Sequence, residues 1–192
     1  MKFILEEFCS TLEIKKSKFI TYLVPYKDFD NLMQRLKSQH PKARHFVYAY
    51  RYLNEFDQIV ENSSDDGEPK GTSGKPSLSA LAGADMINTG VIIVRYFGGI
   101  RLGTGGLVRA YSDAVNQVIN ESKLKDYVKL IKKSLVVQYN ILSQIEYIIA
   151  KYEISIYEKK FDENVILILE ASNEEFSKLS SELFRELKLE DI

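Results

Sequence analysis

Val91-Ile-Ile-Val-Arg-Tyr-Phe-Gly-Gly-Ile-Arg-Leu-Gly-Thr-Gly-Gly-Leu-Val-Arg109 is the stretch on which the fold turns. Its four leading β-branched residues have the composition of a strand buried on both faces. A glycine-rich turn follows. Leu107, Tyr111, Ala114 and Val118, joined by Val108, Val115 and Ile119, then recur at helical spacing, with Arg109, Asp113, Asn116 and Asn120 on the opposite side. Buried strand, glycine loop and one-sided helix are therefore expected in that order.

Upstream, Leu12 to Val24 reads as a strand, and Phe29, Leu32, Met33 and Leu36 mark an amphipathic helix that Pro41 closes. Arg44 to Leu53 alternates. Phe46, Tyr48, Tyr50 and Tyr52 share one face of that strand, and His45, Val47, Ala49, Arg51 and Leu53 the other. The aromatic face has the form of a base-stacking platform, but plain sheet core is the commoner use and is the reading adopted. Asn62 to Pro76 is almost free of apolar residues and is expected to be a long loop, with a short helix over Leu78 to Ile87 that ends near Asn88 to Gly90.

Downstream, the charged stretch Glu121 to Asp126 marks a boundary between domains spanning 1–125 and 126–192. The second has the order strand, helix, strand, strand, helix. Its strands are Leu130 to Tyr139, Ile154 to Lys160 and Val165 to Ala171. A capping box is read at Ser143 and Glu146, with a staple from Leu142 to Tyr147 and a helix end near Tyr152. A second capping box lies at Ser172 and Glu175, ahead of the stripe Phe176, Leu179, Leu183 and Leu187. The fold class is α+β in two domains, the second ferredoxin-like with its last strand short or missing.

Composition excludes several functions. Of 192 residues, 26 are basic and 27 acidic, so no global field draws the chain to nucleic acid or anionic lipid, and any such binding must be local. Seventeen basic against fifteen acidic side chains up to Asp126 leave the first part at +2 and the remainder at −3, which puts the cationic surface on the first domain. The one cysteine, Cys9, rules out an internal disulfide, and His40 and His45 lack metal-pair spacing. Two glutamates interrupt MKFILEEFCS, and no apolar run is long enough to span a membrane, so a cytoplasmic protein is expected.

The binding chemistry lies around the glycines. Gly98, Gly99, Gly103, Gly105 and Gly106, with Thr104, open a backbone onto a helix N-terminus, where free N–H groups and the helix dipole attract an anion. Arg95, Arg101 and Arg109 flank it, with Lys70 and Lys75 on the preceding loop. Cations at that end of a helix oppose its dipole by roughly 0.3–1 kcal/mol each, so a negative group is expected nearby. Two sources fit: an external phosphate, or the acids Asp65, Asp66 and Glu68 of the loop. The same acids have the chemistry of a magnesium site, but Asp-Asp-Gly is also ordinary turn chemistry, and neither metal nor cofactor is assigned. A Walker loop needs glycine at Pro69 and Ser or Thr at Pro76, and a dinucleotide fingerprint needs glycine at Val108. With no catalytic triad evident, no catalytic residue is named.

Three ordered segments carry a resemblance: His45-Phe-Val-Tyr-Ala-Tyr-Arg51, Asp65-Asp-Gly-Glu-Pro-Lys-Gly-Thr-Ser-Gly-Lys-Pro76 and Arg95 through Tyr111. Together they resemble the YigZ/IMPACT family over about Phe8 to Ser122, and the rest is similar to the companion domain of its bacterial members. The resemblance marks His45, Arg51, Asp65, Asp66, Gly67, Glu68, Pro69, Gly71, Gly74 and Tyr111 as motif positions of unassigned role. It implies a first domain like the second domain of a small-subunit ribosomal protein, also seen in domain four of elongation factor G and in small-molecule kinases. For the second domain it implies similarity to domain five of that factor.

In eukaryotic relatives it implies protein binding that restrains a translation-initiation-factor kinase through its coactivator, by proteins with an added N-terminal recognition domain that has no counterpart here. For this chain the expectation is a non-enzymatic, translation-associated regulator whose partner is RNA, the ribosome or a translation factor. Two alternatives stand beside it: a phosphate- or nucleotide-binding enzyme using the same loop, and a protein-interaction adaptor without a phosphate site.

Overall fold

After a two-residue strand, β1 (Lys2–Phe3), the chain forms a hairpin of β2 (Phe8–Ile14) and β3 (Ser17–Pro25) where the sequence suggests one strand. Lys15 and Lys16 take φ of 46° and 65°, the backbone of a tight two-residue turn. Such turns favour Asn-Gly, so a pair of lysines gives no signal. The computed structural model describes residues 1–184 and 186–192.

The first unit, Met1–Tyr127, continues with α1 (Phe29–Gln39), β4 (His45–Leu53), β5 (Ile59–Ser64) and α2 (Gly74–Gly83). It closes with β6 (Thr89–Tyr96), α3 (Thr104–Glu121) and β7 (Lys125–Asp126), the last paired with β1. The five-stranded antiparallel sheet runs β2-β3-β6-β4-β5. Its central strand is the apolar run. Val91 and Ile93 face a core built with Leu81 of α2 and Tyr111, Ala114 and Val118 of α3, while Ile92 and Val94 face Phe29, Leu32 and Leu36 of α1. Tyr48 and Tyr50 meet the Phe29 ring edge-on at 5.6 and 5.4 Å, so the tyrosine face is largely sheet core.

Several expected boundaries move. Residues 62–64 are strand rather than loop, because an edge strand open to water needs no apolar pattern. The short helix starts at Gly74 and ends at Gly83, with Pro76 inside its first turn. On α3 the stripe is buried as expected except for Val108, which is exposed.

The second unit, Val128–Ile192, consists of β8 (Ile131–Val137), α4 (Leu142–Lys151), β9 (Ser155–Phe161), β10 (Val165–Ala171), α5 (Asn173–Glu182) and β11 (Leu189–Asp191). Its sheet is antiparallel in the order β11-β8-β10-β9 over a core including Leu135, Ile145, Leu167 and Phe176. Ser172 and Glu175 form the expected capping box. The box at Ser143 is absent: a 3-10 turn over Tyr139–Ile141 leads into the helix two residues early, with Ile141 at the N-cap, and Glu146 instead accepts from Lys159 Nζ at 2.6 Å. Tyr147 is 74% exposed, so the staple is absent too. Leu183 and Leu187 belong to the core but lie beyond the end of α5.

Candidate functional site

Strand register assembles the site. Arg95, near the end of β6, sits opposite Phe19 on one side and His45 on the other, so the chain entering the glycine loop meets the starts of β3 and β4. Gly98 holds the loop down. A Cβ there would lie 1.9 Å from the Lys16 carbonyl carbon, and the Gly98 N–H donates to Ser17 Oγ at 3.1 Å. This glycine serves close packing rather than ligand approach.

The acidic loop between β5 and α2 is spent internally. Asp65 accepts from the backbone N–H groups of Gly71, Ser73 and Gly74 at 2.7, 3.0 and 2.8 Å and from Ser73 Oγ at 2.7 Å, so it satisfies the donors at the start of α2. Burial pushes its carboxyl up, but those hydrogen bonds outweigh burial and hold it below the usual carboxylate range. Asp66 accepts from Phe46 N at 2.6 Å, and its carbonyl meets His45 Nδ1 at 2.8 Å. Glu68 is buried. One of its oxygens takes Arg95 Nη1 at 2.5 Å and Tyr111 Oη at 2.8 Å. Burial, with the Glu68 charge second, drives the Tyr111 hydroxyl far above its ordinary value, so it stays a donor.

Of the two sources of negative charge the sequence leaves open, Arg95 thus has the internal one. Its guanidinium lies over the rings of Phe19 and Phe97, 5.5 and 5.8 Å from their centroids, and it is 7% exposed. Its Nε is buried without a hydrogen-bond partner. Arg51 is likewise internal, donating to Glu61 Oε1 at 2.6 Å and to the Met86 carbonyl at 2.8 Å. No group of three or more His, Cys, Asp or Glu among the described residues has the arrangement of a metal site.

Arg101 differs. It is exposed, has no ion-pair partner among the described residues, and lines an open cleft of about 420 Å³ with Arg44, His45, Pro69, Phe97, Gly103 and Thr104, over the Glu68–Arg95 pair. A second lobe shares Arg44, His45, Arg95 and Phe97 and adds Lys42. Gly103, with φ of 73°, precedes α3, whose first turn has neither a side-chain cap nor an acid. The N–H groups of Thr104, Gly105 and Gly106 have no carbonyl within the helix to bond. A Cβ on Gly105 would meet nothing within 4 Å. Cations, uncapped N–H groups and an approachable backbone together suit an anion.

The structure brings Arg95, Arg101, Gly103 and Thr104 to this cleft. Lys70, Lys75 and Arg109 are exposed but outside its lining, and Gly74 packs against the Ser64 backbone, where a Cβ would come within 2.7 Å. Lys42, Arg44 and Phe97 are site residues the sequence reading left out. The available signal was the cluster Lys42-Ala-Arg-His45 just before an alternating strand.

A family model described as the Impact N-terminal domain matches residues 15–119. A Haemophilus influenzae protein described as an IMPACT family member is 42% identical over 176 residues, covering 89% of this chain and 84% of its own. The Escherichia coli family member YigZ is 36% identical over 158 residues, 81% of this chain and 78% of its own. A crystal structure of a protein described as hypothetical superposes with a TM-score of 0.71 at 32% identity, over 100% of this chain and 96% of the other.

Proposed function

This chain belongs to the IMPACT family, and from that premise we propose that it is a translation-associated regulator that binds RNA through the cleft at the start of α3. The observation that carries this reading is the imbalance of charge there. Lys42, Arg44 and Arg101 line the two lobes without ion-pair partners among the described residues, and the carboxylate beneath them, Glu68, is committed to Arg95 and Tyr111. Binding rather than catalysis fits the cleft's titratable groups: His45 is engaged by the Asp66 carbonyl, and Glu68 has its two donors. We further read the second unit, with its strand order β11-β8-β10-β9, as ferredoxin-like, and the first as related to the translation-factor domains that the family resemblance implies.

Co-sedimentation of the purified chain with ribosomes and structured RNA at low and moderate salt tests the reading, beside Arg101→Ala. Three cations on phosphate give a single-strand slope of log affinity against log salt of about −2, and the variant flattens it by under ~1 unit. Salt-sensitive association weakened in the variant supports the proposal. Unchanged association moves the site elsewhere, and none at low salt removes RNA as the ligand. Lys70, Lys75 and Arg109, outside the lining, supply at most secondary contacts in this reading.

An adaptor acting through protein contacts draws support from one observation, the internal neutralisation of Arg95. It ranks second because an acidic protein surface would use Lys42, Arg44 and Arg101 but leave the exposed Phe97 among them unused.

A further inference from the structure

Phe97 stands where the two lobes of the cationic cleft meet, and it lines both. The residue is 58% exposed although it belongs to a segment held on each side. Tyr96 before it is paired in the sheet opposite Lys18, and Gly98 after it is pinned against Lys16 and Ser17. The Arg95 guanidinium, buried and charged, lies against it. No stacking partner for the ring exists among the described residues beyond that cation.

A single exposed aromatic is ordinary on a protein surface. What sets this one apart is its company. Lys42 lies on one lobe and Arg101, with the N–H groups of α3, on the other, while Arg44 lines both. A fixed aromatic with cations on both sides matches a nucleotide chain, in which a flat base is flanked by two phosphates. An acidic peptide would use the cations and leave the ring idle. A duplex would offer phosphates but keep its bases stacked inside.

We infer that the cleft binds single-stranded RNA, with an unpaired base stacked on Phe97 between phosphates held by Arg101 and the α3 N-terminus on one side and by Lys42 on the other, Arg44 standing within reach of both. This rests on the RNA-binding reading and adds the form of the ligand and the residue that selects it. Because Phe97 supplies a π face and no charge, its loss lowers affinity without changing the number of counterions released.

The test is fluorescence anisotropy of a labelled decariboadenylate on the full chain, comparing wild type with Phe97→Ala, Phe97→Tyr and Arg101→Ala. Unlabelled single strand, a ten-base-pair RNA duplex, polyphosphate and poly-glutamate serve as competitors. Loss of one stacked base weakens Phe97→Ala by about 5- to 150-fold with the salt slope unchanged, while Phe97→Tyr stays within about twofold. Arg101→Ala instead flattens the slope. An unchanged thermal melt for Phe97→Ala shows that the fold is intact, as the ring's exposure leads one to expect.

The inference alone falls if wild type binds the strand in a salt-dependent way but Phe97→Ala is within twofold of it. It also falls if duplex, polyphosphate or poly-glutamate competes as well as the single strand. If wild type binds no RNA at low salt, the inference falls together with the reading beneath it.

Discussion

Glu68 decides how much of the arginine cluster is open to a ligand. Its side chain is 4% exposed, and Arg95 and Tyr111 converge on a single one of its oxygens. Two buried charges held this way add little net stability over a well-packed apolar pair, but removing one strands the other. Glu68→Ala is therefore expected to lower stability by about 3–5 kcal/mol in urea unfolding, and Glu68→Leu combined with Arg95→Met to restore much of that loss. An unchanged midpoint for Glu68→Ala would mean that the carboxylate is not the partner holding Arg95 in place. From sequence, phosphate and the internal acids were equally good partners for Arg95, because both uses draw on the same residue types. Only the strand register, which brings Phe19, His45 and Arg95 into line beneath the loop, separates them.

At the scale of elements, the helix starts at α2, α3 and α5 are treated differently, and α4 resembles α3 in having no side-chain cap. Asp65 serves α2, Ser172 and Glu175 serve α5, and α3 begins with no side chain of its own. Gly105 sits in the first turn of α3, where its missing Cβ would touch nothing, so nothing in the fold itself calls for glycine. Glycine inside a helix costs roughly 0.5–1 kcal/mol relative to alanine. Gly105→Ala is expected to raise stability by up to about that amount and, on the proposed function, to weaken RNA binding by placing a methyl where that proposal puts a phosphate. Thermal melts read the first effect and anisotropy the second; a stabilised variant with full affinity would take the ligand away from the helix start. The helix itself was legible because its apolar spacing is long and one-sided, and β6 because four β-branched residues can be little else. The β2–β3 turn and the edge strand β5 were not, since two lysines at positive φ and a polar, half-solvated strand leave no mark in periodicity. Lys42 and Arg44 escaped notice for a related reason. They lie some fifty residues from the glycine loop in sequence and reach it only through the pairing of β4 with β6.

On the scale of the molecule, the two units bury separate cores. The first has an apolar cluster on each face of its sheet, one under α2 and α3 and one under α1, and the second has its own between α4, α5 and a four-stranded sheet. The pairing of β7 with β1, and the Tyr127 N–H bonded to the Met1 carbonyl at 2.9 Å, tie the end of the first unit to its beginning. A fragment cut at residue 127 keeps that tie, whereas one cut at 125, the boundary suggested by the charge run, divides β7. Residues 1–127 are therefore expected to melt cooperatively by circular dichroism without binding a hydrophobic dye. If RNA is held by Lys42, Arg44 and Arg101, this fragment also retains the full salt slope, because every proposed phosphate contact lies within it. Without the second unit's net charge of −3, its low-salt affinity is expected to equal or modestly exceed that of the full chain. A fragment that folds but shows a flattened slope would put cations of the second unit in the binding surface, and one that fails to melt cooperatively would show that its two core clusters are insufficient on their own.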